Sequence, residues 1–516
     1  MGKYFLLLAL IMVVGLLPAC NDDDDDDNNS TDDDVDDDAV DDDAADDDGA
    51  DDDVIDDDVA DDDIVDDDSG DDDTSVDDDD LAPPPTNENG VFASPLGDDA
   101  NPGTREEPVR TVTRAAKIAE AAQKVVFIAA GDYDESLYAL VSLFGGYDPI
   151  TWQRDIAAYE SRINTHEPQF LTLGHDSQET QPVAEGLVIV GGRVSSQPVA
   201  QGVIVIGSWI LARNRISTVD LFELSESQAI TVGVIIGREG PVELRDNEIT
   251  CGQAVAVLSA VVVGVDVDSQ EADVTLLRNV VQPGPAISTF SVASTVVSGG
   301  CGEHALRLYG NHLLGNFAYS PAMHQAWGVT TYQCAVDAAG NVISLPYGNA
   351  VRGFELFESP ASLTNNTVTV EGAKEAIGVW TNDTTKLIDN VFWTSDASDL
   401  AAGIATVDDA ALTLVNNDFV PMSGVALLQI DGQLLFDLTA VNNCGWGGCT
   451  EAQGNLAILP RLNETDGYHL LLNSNLIDAG ADPAQWLDEV YNLDIDGQTR
   501  PQGSGWDIGA DEYVDN

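Results

Sequence analysis

Leu211-Ala212-Arg213-Asn214-Arg215-Ile216 is the stretch on which the fold of this chain turns. Its pattern is an apolar residue, two spacers, an Asn, one residue and another apolar residue. The pattern returns at residues 244–249 around Asn247 and at residues 276–281 around Asn279. Later copies centre on Asn311, Asn366, Asn390, Asn417 and Asn443. Successive Asn residues are 33, 32, 32, 55, 24, 27 and 26 positions apart, with the step of 55 read as two units and one Asn missing. Self-similarity at such a period marks a solenoid, in which each unit buries its apolar residues only by stacking on the next. A second signal precedes most of these Asn residues by 12 to 15 positions: a Gly leading an alternating apolar run, as in Gly202-Val203-Ile204-Val205, Gly233-Val234-Ile235-Ile236, Gly378-Val379-Trp380 and Gly403-Ile404-Ala405. Short strands separated by polar turns, repeated at this spacing, predict an all-β parallel solenoid. An antiparallel β-sandwich also carries such strands, but it supplies no reason for Asn at one phase of every repeat. In a solenoid the Asn sits at a fixed corner, where it tolerates a left-handed backbone and its amide can bond to the amide stacked above.

Upstream of the repeat, Gly97-Asp98-Asp99-Ala100-Asn101-Pro102-Gly103-Thr104 forms a turn, and Thr111 or Thr113 can cap a helix with Val112, Ala115, Ala116, Ala119 and Ala122 on one face. A strand follows at residues 124–129, then Gly145-Gly146-Tyr147-Asp148. Residues 90–155 resemble the opening module of bacterial surface proteins built on a right-handed parallel β-helix, a module of unknown function whose helix plugs the open end of the coil. The extra Asp99-Ala100 departs from that module's turn. Downstream, Asn473-Ser474-Asn475-Leu476-Ile477-Asp478-Ala479-Gly480, Asp494-Ile495-Asp496-Gly497-Gln498-Thr499-Arg500-Pro501 and Asp507-Ile508-Gly509-Ala510-Asp511-Glu512-Tyr513 resemble the closing segment of anchored bacterial β-helix proteins, with Asn475 as a small departure. The resemblance implies a right-handed parallel β-helix over residues 156–516, with a capping α-helix at its start and no domain after it.

The N-terminal 90 residues are of another kind. Lys3 and the apolar residues 4–17 lead into Leu17-Pro18-Ala19-Cys20. An apolar run this short suits a signal peptide better than a membrane span, which needs about 20 residues. The four residues resemble the lipobox of bacterial lipoproteins, which implies cleavage after residue 19 and acylation of Cys20. Residues 20–89 then read as a tether. From Asp22 to Asp80 the chain holds 37 Asp and no Lys or Arg, mostly as Asp triplets alternating with two small or aliphatic residues. Such a segment has too much repulsion and too little apolar surface to form a core, so an extended, disordered spacer is expected. Its reach is on the order of 200 Å when fully stretched. Weak Ca²⁺ condensation on its carboxylates is expected rather than a dedicated site, because the triplets lack a Gly-containing calcium loop. Acidic residues directly after the acylated Cys also resemble surface-export signals of some Gram-negative lipoproteins. Together these features imply an exported protein held by lipid in the outer membrane or at the cell surface of a Gram-negative bacterium.

Of the formal net charge of −72, the part outside that spacer carries −35. Nucleic acid is therefore excluded as a partner, since its binding needs Lys and Arg against phosphates. Five Cys remain beside Cys20. Cys444 with Cys449 can close a small loop, Cys301 with Cys334 can clamp adjacent turns, and Cys251 is left as a buried thiol. The spacing of Cys444 and Cys449 does not suit zinc, and no cofactor is expected. His304, His312 and His324, near Cys301 and Glu303, are the densest His group and read more simply as polar turn residues than as ligands. Asp246, Asp389 and Asp418 lie one residue beside the repeating Asn and read as corner residues. Galacturonases carry Gly-His-Gly and Arg-Ile-Lys motifs, of which Gly174-His175-Asp176 is only a partial echo. No P-loop, Ser-His-Asp signature or dinucleotide fingerprint is present. Trp152, Trp209, Trp327, Trp380, Trp393 and Trp446 either fill wide corners or line up as a sugar-stacking face. These readings favour a non-catalytic, lipid-anchored β-helix that serves as a binding or structural module, with polysaccharide or another surface protein as its partner. The alternatives are a displayed polysaccharide lyase or glycoside hydrolase of the pectin-lyase-like fold and a calcium-responsive adhesin.

Overall fold

A computed structural model of the chain describes residues 81–514, apart from short segments at 166–170, 175–180, 194–197, 224–227, 238–239, 270, 408–409 and 464. Cys20, the signal peptide, the Asp-rich spacer and His175 lie outside the described residues. Among the described residues the strands form three sheets of 13, 21 and 4 strands. Strand pairing between successive coils is parallel throughout, and the pairing of Ala426–Ile430 with Gln433–Leu435 is an antiparallel hairpin. The fold is a parallel β-helix. One coil runs from Trp209–Ala212 in the 13-stranded sheet to Arg215–Thr218, then to Leu221–Glu223 in the small sheet, then to Gln228–Ile236, and reaches the 13-stranded sheet again at Val242–Arg245.

The register explains why the sequence repeats as it does. Leu211, Leu244, Leu276, Leu308, Ala338, Leu363, Leu387 and Leu414 pair coil to coil in one inward row. Each of them is fully buried. Two residues on, the chain turns the corner. There the left-handed residue is the one before the repeating Asn, not the Asn itself: Arg213, Asp246, Arg278, Gly310, Gly340, Asn365, Asp389, Asn416 and Gly454 all have φ between 49° and 65°. That corrects the role expected of the Asn and explains the Gly, Asn and Asp just before it, the residues that reach this region at least cost.

The Asn side chains point inward at the corner and form a continuous ladder. Each Nδ2 donates both to the next Asn Oδ1 and to a backbone carbonyl on the preceding coil, as in Asn247 to Asn279 (2.9 Å) and to Leu211 (2.8 Å). The ladder runs through Asn214, Asn247, Asn279, Asn311, Asn341, Asn366, Asn390, Asn417 and Asn455. Two sequence expectations are corrected here. No Asn is missing from the long step, because Asn341 fills it; its inward partner is Ala338 rather than Leu, which hid the motif. Asn443 is not a rung. Residues Leu438–Asn442 form a short helix with Asn443 as its exposed C-cap. Asn455 takes the rung, and Asn442 closes the ladder by accepting from the Asn455 amide at 2.8 Å.

Ladder steps shorten from 32 residues to 25 and 24 past Asn341. The small sheet ends at Ala318–Tyr319, and beyond it the long strands Val342–Phe357 and Thr367–Thr381 run through the space where earlier coils turned. The leading glycines mark a tight bend: a Cβ on Gly233 would lie 2.5 Å from the Gly264 carbonyl, and one on Gly378 would lie 2.5 Å from that of Gly403.

The α-helix Val112–Ala122 closes the N-terminal end of the core with Val112, Ala115, Ala116 and Ala119. Ala122, expected on the same face, is exposed. Thr111 caps it, and the Glu135 carboxylate adds a second cap by accepting from the Val112 and Thr113 amides at 2.7 and 2.8 Å. Residues before Gly90 also pack on this end of the body. Leu81 and Ala82 pack against the aromatic cluster of Phe92, Phe127, Phe144, Tyr147 and Trp152, and Lys124 donates to the Asn87 carbonyl. The tether expected to extend to residue 89 is thus fixed to the body from residue 81.

Cys301 is bonded to Cys334, and Cys444 to Cys449. Cys251 is a buried free thiol whose pKa burial pushes up to about 12, so it stays protonated and inert. Asp266 is a second buried group, facing Ser298 on the next coil, and burial raises its pKa to about 7. An unfolded Asp titrates near 3.9. The folded state therefore binds this proton more tightly, and stability is lost as pH rises from about 4 to about 7. Asp266→Asn is expected to be more stable than the wild type at pH 8 and to differ little at pH 4. Urea midpoints at the two pH values check this, and equal pH dependence in both proteins would contradict it.

Candidate functional site

The 13-stranded sheet presents a polar outer row. Glu243, Thr275, Arg307, Asp337, Ser362, Lys386 and Thr413 pair coil to coil, each one residue away from the inward leucines. Alternation along each strand puts this row on the outside, and parallel stacking aligns side chains that lie 24 to 32 residues apart in sequence.

The closing segment comes back along this face and is fastened at the left-handed corners. Asn365 Nδ2 donates to the Asp507 carbonyl at 2.8 Å, and Asn416 Nδ2 donates to that of Ala479 at 3.0 Å. The Asp389 carboxylate accepts from the Ala481 amide at 2.9 Å. Lower down, Lys386 Nζ donates to the Trp486 carbonyl at 2.7 Å, and Trp486 Nε1 donates to Glu451 at 3.0 Å. Tyr491 stacks on Tyr309, with ring centroids 4.7 Å apart and planes 5° from parallel.

Between sheet and strap lies a groove of about 520 Å³. Its floor is made of small residues, Ala305, Ala335 and Ala361 among them, and its far wall is Leu487, Asp488 and Glu489. Asp337, Ser362, Thr384 and Lys386 contribute polar groups. Tyr309 donates a hydrogen bond to Asp337, and Arg307 pairs with Asp273 at 2.7 Å. Burial raises the Asp337 carboxyl above its ordinary value; the Tyr309 hydrogen bond and the Arg307 charge oppose that shift without cancelling it. Burial, helped by Asp337, also raises the Tyr309 phenol, so it remains a donor. The arrangement offers small apolar residues, hydroxyls and a carboxyl to a small ligand.

Residues singled out in the sequence fall elsewhere. The three histidines do not converge: His304 faces Asp273, His312 packs against Tyr468, and His324 lies against Tyr319 and Tyr347. Cys301 is taken up in its disulfide. Asp246 pairs with Arg278 at 2.7 Å, and Asp418 is buried, accepting from the Ile458 amide at 3.0 Å. Trp152, Trp209, Trp327 and Trp380 are buried, while Trp393 and Trp446 are half-buried; no sugar-stacking face is built from them. The exposed rings are different ones. Phe222, Val255, Ile287 and Tyr319 align in register on the outside of the small sheet, and Phe317 stacks between Tyr319 and Tyr347 at 6.0 and 6.3 Å. Phe222, Phe317, Tyr319 and Tyr347 are all exposed. Strands of two or three residues give no alternation that the sequence could reveal; a shared spacing of 32 to 33 residues is the available signal.

Residues 96–139 match the family described as a protein of unknown function, DUF1565. No curated protein matches the chain. Among solved structures, the chain is similar to pectate lyase Pel9A, with a TM-score of 0.36 and 12% identity over 82% of this chain and 96% of that one. It is also similar to a rhamnogalacturonan lyase, with a TM-score of 0.30 and 11% identity over 81% of this chain and 96% of that one. Neither likeness bears on chemistry.

Proposed function

We propose that this chain is a lipid-anchored cell-surface protein whose β-helix binds, without cleaving, a neutral saccharide ring in the groove beside Asp337. The groove carries the reading: its small apolar residues against Asp337, Ser362 and Thr384 suit the apolar face and the hydroxyl rim of a sugar. Asp337, Asp488 and Glu489 at the groove, and the −35 charge outside the spacer, disfavour polyuronates. Residues 4–20 support the anchor, and two disulfides support export. The Asp-rich spacer would hold the groove away from the lipid. A hydrolytic reading rests on one observation, the raised Asp337 carboxyl with Glu489 near enough to act on it, since glycoside hydrolysis uses two carboxyls with separated pKa values.

Cys20→Ser is expected to move the protein from the membrane to the soluble fraction, and continued membrane retention would refute the anchor. The released protein, run by affinity electrophoresis through a panel of neutral and acidic polysaccharides, is expected to be retarded by a neutral one. Asp337→Ala should weaken that binding at least about tenfold, the loss of roughly 1.4 kcal/mol of contact. No retardation anywhere in the panel would overturn the binding reading, and new chain ends in the polysaccharide would replace it with the hydrolytic one.

A further inference from the structure

The closing segment holds a concentration of ligand-type side chains apart from the groove. His469, Asp496 and Asp511 each present one ligand atom, and these atoms lie within 4.8 Å of one another. They come from separate turns of the segment, and the neighbouring Tyr468 packs edge-on against His312 of the coil stack at 5.2 Å. Asp466 supplies the independent observation. Its Oδ2 faces His469 Nδ1 at 2.9 Å, while its Oδ1 is fixed by the Tyr468 and His469 amides at 3.1 Å each. The ring is thereby locked with Nε2 aimed at Asp496 Oδ2, 2.7 Å away. Asp511 is held in turn by the Leu470 amide at 2.6 Å. A carboxylate behind a histidine, fixing its tautomer and presenting the opposite nitrogen to further carboxylates, is the arrangement by which proteins orient a metal-binding imidazole. Charge points the same way. Asp466, Asp496 and Asp511 surround one imidazole, and the nearby Arg500 is committed to Glu512.

We propose that His469 Nε2, Asp496 and Asp511 bind one divalent transition-metal ion, of which Zn²⁺ is the type, and that the ion staples three turns of the closing segment. One imidazole nitrogen with two carboxylate oxygens and a water completes a tetrahedron suited to Zn²⁺, whereas Ca²⁺ takes oxygen ligands in larger number. Both ring nitrogens face carboxylates, Nδ1 that of Asp466 and Nε2 that of Asp496. A metal ion and a proton compete for the Nε2 lone pair, so affinity falls as pH drops.

The test uses the full chain released by Cys20→Ser, with Zn²⁺ and Co²⁺ as probes. Because the Asp-rich spacer also condenses cations, the comparison is between variants. Zn²⁺ at low micromolar concentration is expected to raise the melting temperature above that in EDTA, while millimolar Ca²⁺ does not reproduce the shift. Co²⁺ is expected to give a visible absorption band that Zn²⁺ displaces. His469→Ala should abolish both effects. Asp496→Asn, at a side chain 41% exposed and so tolerant of exchange, should weaken Co²⁺ binding at least about tenfold without altering the metal-free melting. A band and a Zn²⁺ shift unchanged in both variants would assign the binding to the spacer and overturn the proposal. So would the absence of any band in the parent protein.

Discussion

Asn366→Ala is expected to cost the β-helix on the order of 4 kcal/mol, a loss few single substitutions reach. Asn366 is fully buried in the middle of the ladder. Its Oδ1 accepts from Asn341 Nδ2 at 2.9 Å and from the Asn341 amide at 3.1 Å. Its Nδ2 donates to Asn390 Oδ1 and to the Ala338 carbonyl, each at 2.9 Å. Truncation leaves every one of these partners buried without that bond, and water cannot reach them through coils packed on both sides. Unsatisfied buried groups cost about 1–3 kcal/mol each, and relaxation recovers part of it. Asn443→Ala is the matched control. That Asn lies beside the ladder's end but is exposed, so its loss should stay within about 0.5 kcal/mol. Urea midpoints of both variants decide the matter, and equal effects would mean that the amide ladder does not hold the coils together.

The contrast between those two residues measures what the sequence can disclose. The inward Leu and the buried Asn three residues after it are set by packing and by hydrogen bonding at one place in every coil, so they recur at one phase and are legible. Asn341 escapes because Ala338 fills the inward position, and Asn443 misleads because a short helix is inserted between the Asn417 and Asn455 rungs and lengthens that step to 38 residues. The left-handed residue lies one position before the rung, and the Gly, Asp and Asn scattered there are its trace in the sequence. The groove was not legible at all. Asp337 and Lys386 share the groove only through strand register, and Glu489 joins it through a strap 152 residues after the first and 103 after the second. Histidine density likewise pointed at His304, His312 and His324, while the converging set is His469 with carboxylates 27 and 42 residues further on. Separation in sequence hides such sites, because no local periodicity encodes a contact made by a returning segment.

Arg500→Met is expected to release that returning segment. Arg500 and Glu512 are both fully buried and face each other at 3.2 Å. Arg500 Nη2 also donates to the Gly509 carbonyl at 2.9 Å, while Glu512 accepts from the Gln502 amide at 2.8 Å. Removing the guanidinium strands a buried carboxylate and costs about 3–5 kcal/mol. The loss is local, because the main core of the coil stack ends at Val441, and Leu476, Ile495 and Ile508 of the closing segment pack in small separate clusters with the coil residues Val342, Val391 and Val420. What the pair supports is the docking of Gly509 and Ala510 onto Asp389 and Thr367, at 2.8 and 3.0 Å. Limited proteolysis should therefore cut Arg500→Met within residues 456–514 while the coils below stay protected. Arg500→Lys should fall between, keeping the charge but losing the fork. Arg500→Met combined with Glu512→Gln should recover part of the loss, since no charge is then stranded. Because Leu487 and Glu489 wall the groove, release of the segment should also abolish saccharide retention by an otherwise folded β-helix. Unchanged cleavage in Arg500→Met would mean that the corner contacts of Asn365 and Asn416 hold the strap without the buried pair.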